Sequence, residues 1–122
     1  MLQLKQLKNQ KTERPINNQY TLITSRFIFF ISYETVICAY APKTNNLIIF
    51  DYLKNLNVSR TTAKYLYQFL DEVNFRFKNF RNYEKLEKEK VMYKKLELAS
   101  RDSYNTNVLY LSDSFIEKLF NL

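Results

Sequence analysis

The chain has 122 residues, ten Tyr, ten Phe, no Gly, no His, one Cys and a net charge of +7, so one domain with a real core is expected. Ordinary usage would supply roughly eight or nine Gly; without them the P-loop, the GxGxxG turn, the KH-domain GXXG clamp and the RRM consensus are excluded, as catalytic triads and His-based metal sites are by the lack of His. A basic balance with pI near 9.5 favours nucleic acid, an anionic membrane surface or an acidic protein as partner, although an AT-rich genome also accumulates Lys.

Residues 1–18 are polar and basic, with Lys5, Lys8, Lys11 and Arg14 against Glu13. They read as a flexible basic arm ending near Pro15, ahead of a single α+β domain over residues 19–122. Leu2, Leu4 and Leu7 are too few and too interrupted for a signal-peptide core.

Residues 20–40 are the most strand-like part. Phe27 to Ile31 form an apolar run, Ser32 to Thr35 interrupt it, and Val36 to Tyr40 resume it. Arg26 and Glu34 leave the run far short of the about 20 residues of a membrane span, and two strands or one bent strand fit it. Cys38, between Ile37 and Ala39, reads as a buried thiol, and a lone cysteine suits a reducing cytoplasm. Residues 41–46 form a turn in which Asn45 and Asn46 do the work of Gly, because Asn tolerates the left-handed conformation. Leu47 to Tyr52 is the return strand.

Ser59 is a helix N-cap for Thr61 or Thr62, with Val58 and Ala63 set for a weak hydrophobic staple. Ala63, Leu66, Tyr67, Leu70 and Val73 recur at helical spacing and define one apolar face, with Arg60, Lys64 and Gln68 opposite. The helix should run to about Val73. Residues 74–83 then interleave Phe75, Phe77 and Phe80 with Arg76, Lys78 and Arg81 and contain no acid. That mixture suits a surface that stacks bases and holds phosphates; the plainer expectation is three core rings separated by solvated cations.

Residues 83–98 read as a charged helix with a narrow stripe of Tyr83, Leu86, Tyr93 and Leu96. Glu84 with Lys88, and Glu97 with Arg101, are supportive pairs. Val108 to Leu111 reads as a short buried strand. Ser114 and Glu117 form a capping box for a last helix over 115–120. The predicted fold is α+β: a three- or four-stranded antiparallel sheet with two or three helices packed on one face.

Three pieces carry a resemblance: Ser32-Tyr33-Glu34-Thr35-Val36-Ile37, the return strand Leu47-Ile48-Ile49-Phe50, and Ser59-Arg60-Thr61-Thr62 running into Leu66 and Phe69-Leu70. Together they resemble a family of small uncharacterised proteins from phages and plasmids of low-GC Gram-positive bacteria. Those proteins carry a Ser-Tyr-x-Thr strand, a short hairpin and a Ser-x-Thr-Thr helix ending in Phe-Leu. The resemblance spans Ser32 to Leu70 and implies a mobile-element origin; it assigns no site residue. Members usually have Gly in the hairpin, where Asn45-Asn46 stands here.

For chemistry, Asp71 and Glu72 lie on adjacent helix faces, so paired acid–base work there is not expected. Glu34 and Asp51, placed on strands, are thin evidence for a metal-dependent nuclease. No catalytic, cofactor-binding or metal-binding residue is assigned, and no enzymatic role is expected. The first expectation is a non-enzymatic phage or mobile-element accessory protein in the host cytoplasm. It would bind a host protein or nucleoprotein and would extend to inhibiting a host defence such as a CRISPR effector. The second is direct DNA or RNA binding. The residues expected to carry binding are Arg60, Lys64, Phe75, Arg76, Phe77, Lys78, Phe80 and Arg81. A third is a homodimer joined through the 83–98 helix. No membrane partner is expected.

Overall fold

The computed structural model describes residues 2–50, 59–83 and 92–111. In chain order the elements are β1 (Gln3–Lys8), β2 (Pro15–Ile23), β3 (Ile28–Ser32), β4 (Thr35–Ala41), β5 (Asn46–Phe50), α1 (Arg60–Glu72), α2 (Met92–Arg101) and β6 (Val108–Leu111). Among the described residues the strands form one six-stranded sheet in the order β1-β2-β3-β4-β5-β6. The mixed α+β class is as expected, but the sheet is wider than the three or four strands anticipated. It is also not wholly antiparallel: β6 pairs with β5 in parallel. Parallel neighbours need a long crossover, and both helices lie in the connection between β5 and β6.

The extra width comes first from the N-terminus. Residues 3–8, expected within a flexible arm, form β1 and pair antiparallel with β2. Asn9 makes the turn between them by accepting hydrogen bonds from the backbone N–H of Lys11 (2.9 Å) and Thr12 (3.0 Å) at its side-chain oxygen. Leu7, one of the three leucines in a basic stretch, turns inward and is buried in the core, whereas Leu2 and Leu4 stay exposed. The backbone carbonyl of Lys8 also accepts from the Gln68 side chain of α1 at 2.8 Å. Strand pairing and one buried leucine thus override a polar local composition.

The interrupted apolar run is two strands. Ser32 and Thr35 are paired across a two-residue turn in which Tyr33 (φ 49°) and Glu34 (φ 67°) are both left-handed. That geometry matches the right-handed twist of a hairpin but is usually given to Asn-Gly. Glu34 therefore sits in an exposed turn and not on a strand as expected, and Asp51 lies outside the described residues. Further on, Asn45 (φ 54°) takes the left-handed place in the β4–β5 turn, as its side chain allows.

Register decides which side chains meet. Residues paired across neighbouring strands share a face, so Phe30, Cys38 and Ile49 line up on one side, with Tyr40 and Leu47 beside them. The helices cover this face. Phe69 of α1 sits 5.5 Å from the Phe30 ring, and Thr62 and Ser32 share a buried hydroxyl–hydroxyl bond of 3.0 Å. Leu96 and Ala99 of α2 join the same core beside Val108 of β6. α1 starts where expected: Ser59 Oγ accepts from the Thr62 backbone N–H at 3.2 Å. The staple residue Val58 lies outside the described residues.

Of the expected 83–98 helix, residues 80–83 form a tight 3₁₀ turn and 92–98 belong to α2; Leu86 and the Glu84–Lys88 pair lie outside the described residues. The Glu97–Arg101 pair is formed at 2.9 Å, a surface contact of small energetic weight. The helix expected over 115–120 also lies outside the described residues. Among those that are described, no helix is long and apolar enough to cross a membrane.

Candidate binding recess beside the aromatic segment

The end of α1 builds the site. Val73 caps the helix, and Asn74 follows it in the left-handed conformation (φ 57°). The Phe75 N–H then donates to the Leu70 carbonyl, and the Asn74 N–H to the Asp71 carbonyl, both at 3.1 Å. This pair of reverse bonds is a Schellman motif, which brings the second residue after the cap against the last apolar turn of the helix. Phe75 is thereby folded back beside Leu70. Without Gly, Asn supplies the left-handed residue here and again at Asn79 (φ 59°).

From Phe75 a chain of rings runs outward from the sheet. Phe75 meets Tyr40 edge-on at 5.8 Å and Phe77 at 5.5 Å. Phe77 in turn meets Phe80 at 5.4 Å and Tyr83 at 5.7 Å. Phe75 and Phe77 are each 5% exposed, so they are core rings and offer no open face for stacking; Phe80 is half-buried. Arg76, Lys78 and Arg81 are exposed. The alternation places rings inward and cations outward, because each buried ring contributes roughly 2–3 kcal/mol that solvation of an aromatic cannot match.

Asn45 holds this segment on the sheet. Its side-chain oxygen accepts from the Tyr40 hydroxyl (2.9 Å), and its amide donates to the Arg76 carbonyl (2.8 Å). Asn107 next to β6 donates to the Asn45 carbonyl at 3.0 Å. Arg76 is further fixed by its own guanidinium, which donates to the Phe75 carbonyl at 2.8 Å.

Between α1 and this segment lies a recess of about 320 Å³ lined by Tyr67, Leu70, Asp71, Phe75, Arg76, Phe77 and Phe80. Four of the expected binding residues meet here. Lys78 and Arg81 lie on the same stretch outside the lining. Arg60 and Lys64 are not part of it: they lie one to three turns nearer the start of α1, Arg60 about 16 Å along the axis from Asp71. Lys64 instead stands 5.4 Å from the Tyr65 ring and borders a second recess with Lys11 and Gln68. The expected set is thus split between two places. Tyr67 and Asp71 lie outside the expected binding set; Tyr67 belongs to the apolar helix face, and i, i+4 spacing stacks Asp71 beside it.

The base of the segment is latched to Asp102, the residue that follows α2. The Tyr83 hydroxyl donates to Asp102 Oδ2 at 2.6 Å. Burial first, and then the neighbouring Asp102 carboxylate, push the Tyr83 phenol up to about 12. The Tyr83 bond, followed by the Tyr104 N–H, holds the Asp102 carboxyl below its ordinary range. Lys95 of α2 is buried and places its ammonium 5.3 Å from the Phe80 ring centre. Elsewhere, burial pushes the Cys38 thiol far up, which makes it unreactive. Among the described residues no group of three or more Cys, Asp or Glu is placed to hold a metal ion.

Fold and recess together define a mixed α+β protein whose helix-capping turn shapes a small aromatic cavity under exposed cations. The chain belongs to DUF8033, a family of unknown function whose model matches residues 2–91. No curated protein and no solved structure matches the chain.

Proposed function

We propose that this protein acts by binding and not by catalysis, as a phage or mobile-element accessory protein that docks on a host protein or nucleoprotein in the cytoplasm. Inhibition of a host defence belongs to the same proposal. The observation that supports it is the ridge of Arg76, Lys78 and Arg81, all exposed on a stretch pinned from beneath by buried Phe75 and Phe77. A rigid backbone that displays charge loses little entropy on docking, and Arg is a favoured anchor at interfaces. The test is affinity capture from bacterial lysate, with and without nuclease, by the wild type and by the triple variant Arg76→Ala, Lys78→Ala, Arg81→Ala. Capture of a defined host component should fall at least about tenfold in the variant; equal capture would reject this surface.

A second reading, direct DNA or RNA binding, is favoured by one feature: half-buried Phe80 and Tyr67 stand at a recess that Arg76 also lines. Stacking plus phosphate contacts is how single strands are bound without a fixed sequence. In fluorescence polarisation titrations each removed cation should lower the salt slope by about one.

A further inference from the structure

The recess beside residues 75–80 combines three kinds of group. Its walls are aromatic and aliphatic: Tyr67, Leu70, Phe75, Phe77 and Phe80. Its one acidic lining residue is Asp71, which is exposed and has no ion-pair partner among the described residues. Its one lining cation is Arg76, whose guanidinium bonds the Phe75 carbonyl, and Lys78 and Arg81 are exposed on the same stretch outside the lining. At about 320 Å³ it stands at the small end of ligand cavities, which run from about 300 to 1,000 Å³. One planar ring system suits that volume.

Charge chooses between the two planar groups that a carboxylate and rings would hold. An arginine or lysine side chain from a protein partner would be drawn to Asp71 but repelled by Arg76, Lys78 and Arg81. One face of Phe80 already carries the Lys95 ammonium at 5.3 Å, so a second cation there is disfavoured. A nucleobase is neutral, and the phosphates attached to it complement the same three cations. An ionised carboxylate only accepts hydrogen bonds, through two oxygens side by side. Guanine alone among the bases offers two adjacent donors, N1–H and the 2-amino group. Adenine and cytosine set a ring acceptor beside their amino group, and thymine and uracil flank a single N–H with carbonyls.

We propose that this recess receives one guanine of a single-stranded nucleic acid, with Asp71 accepting from its Watson–Crick edge, Phe80 and Tyr67 against the ring, and Arg76 on the adjacent phosphate. This deepens the direct nucleic-acid reading and rests on it. It places specificity in Asp71, an acid in a basic neighbourhood, and leaves Lys78 and Arg81 to bind any sequence.

The test is fluorescence polarisation with labelled oligothymidylate, the same strand carrying one guanine, and the same strand carrying inosine at that place. Deoxy- and ribo-probes are run in parallel at two salt concentrations. The guanine strand should bind about tenfold tighter than the other two, the size of one bidentate base contact. Asp71→Asn should abolish that preference while leaving the salt slope unchanged, and Phe80→Ala should weaken all three probes by about fivefold or more. Because inosine alters only the probe, the comparison does not depend on any variant folding. Equal binding of the three probes by the wild type overturns the guanine site and leaves nucleic-acid binding standing. No binding of any probe at low salt overturns both.

Discussion

Gln19 is the residue whose surroundings fit it least. It is fully buried in β2 opposite Ser32, and among the described residues neither its amide nitrogen nor its amide oxygen has a hydrogen-bond partner. A buried polar group left unpaired costs about 1–3 kcal/mol. Met has nearly the same length and needs no partner, so Gln19→Met is expected to raise stability by about 1 kcal/mol in urea denaturation. A loss of stability would show that the amide is satisfied in solution. Tyr83 and Asp102 make a second prediction at this scale. The lowered Asp102 carboxyl adds stability that is full above the ordinary carboxylate range and is lost as pH falls below that range, through the lowered folded-state value. The raised Tyr83 phenol adds stability that is full below pH 10.0 and is lost as pH climbs towards about 12. Thermal melts across pH should therefore show wild type falling more steeply than Asp102→Asn on the acid side. On the alkaline side it should fall more steeply than Tyr83→Phe. Parallel curves would mean that the bond is not kept in solution.

Among elements, the tight turns bear the cost of a glycine-free sequence. Tyr33 and Glu34 are both left-handed, a conformation costing roughly 1–2 kcal/mol for an ordinary L-residue. Glu34→Gly should relieve most of that and, net of the freedom gained by the unfolded chain, stabilise the β3–β4 hairpin by about 0.5–1 kcal/mol. A melting temperature unchanged or lowered would contradict the turn geometry. Asn45 is the reverse case, since its side chain works as well as its backbone. Asn45→Gly keeps the left-handed backbone but removes the bonds to the Tyr40 hydroxyl and the Arg76 carbonyl. At about 0.5–1.5 kcal/mol for each bond, a loss of about 1–3 kcal/mol is expected. Amide exchange should also accelerate around residues 75–77 before it does so elsewhere.

On the scale of the whole molecule, one core joins parts that are distant in sequence. Leu7 near the N-terminus and Val108 in β6 belong to the same buried cluster as Phe30 and Phe69. β1 is consequently part of the cooperative unit. Leu7→Ala should cost about 2–5 kcal/mol and lower the single thermal transition seen by circular dichroism. A flexible arm would give no change. The parallel β5–β6 pair closes a long connection, and such non-local pairing slows folding.

Local chemistry alone determined much of this protein. Ser59 as cap, the helical spacing from Ala63 to Leu70, the apolar run that buries Cys38 and the left-handed Asn45 are each decided within a few residues, so they are legible in the sequence. The alternation of rings and cations over residues 75–81 is likewise visible in the composition. Tertiary structure decided the rest, because it depends on partners far along the chain. Residues 3–8 become a strand only by pairing with β2 and burying Leu7, which their own polar sequence does not signal. Val108 to Leu111 reads as a strand, but nothing local says that it lies parallel to β5. Within the aromatic segment, the pattern left open which rings are core and which are surface. The turn at Asn74 settled it by folding Phe75 back on Leu70, and the same turn brought Asp71 and Tyr67 beside Arg76 and Phe80 to form a recess that no linear motif records.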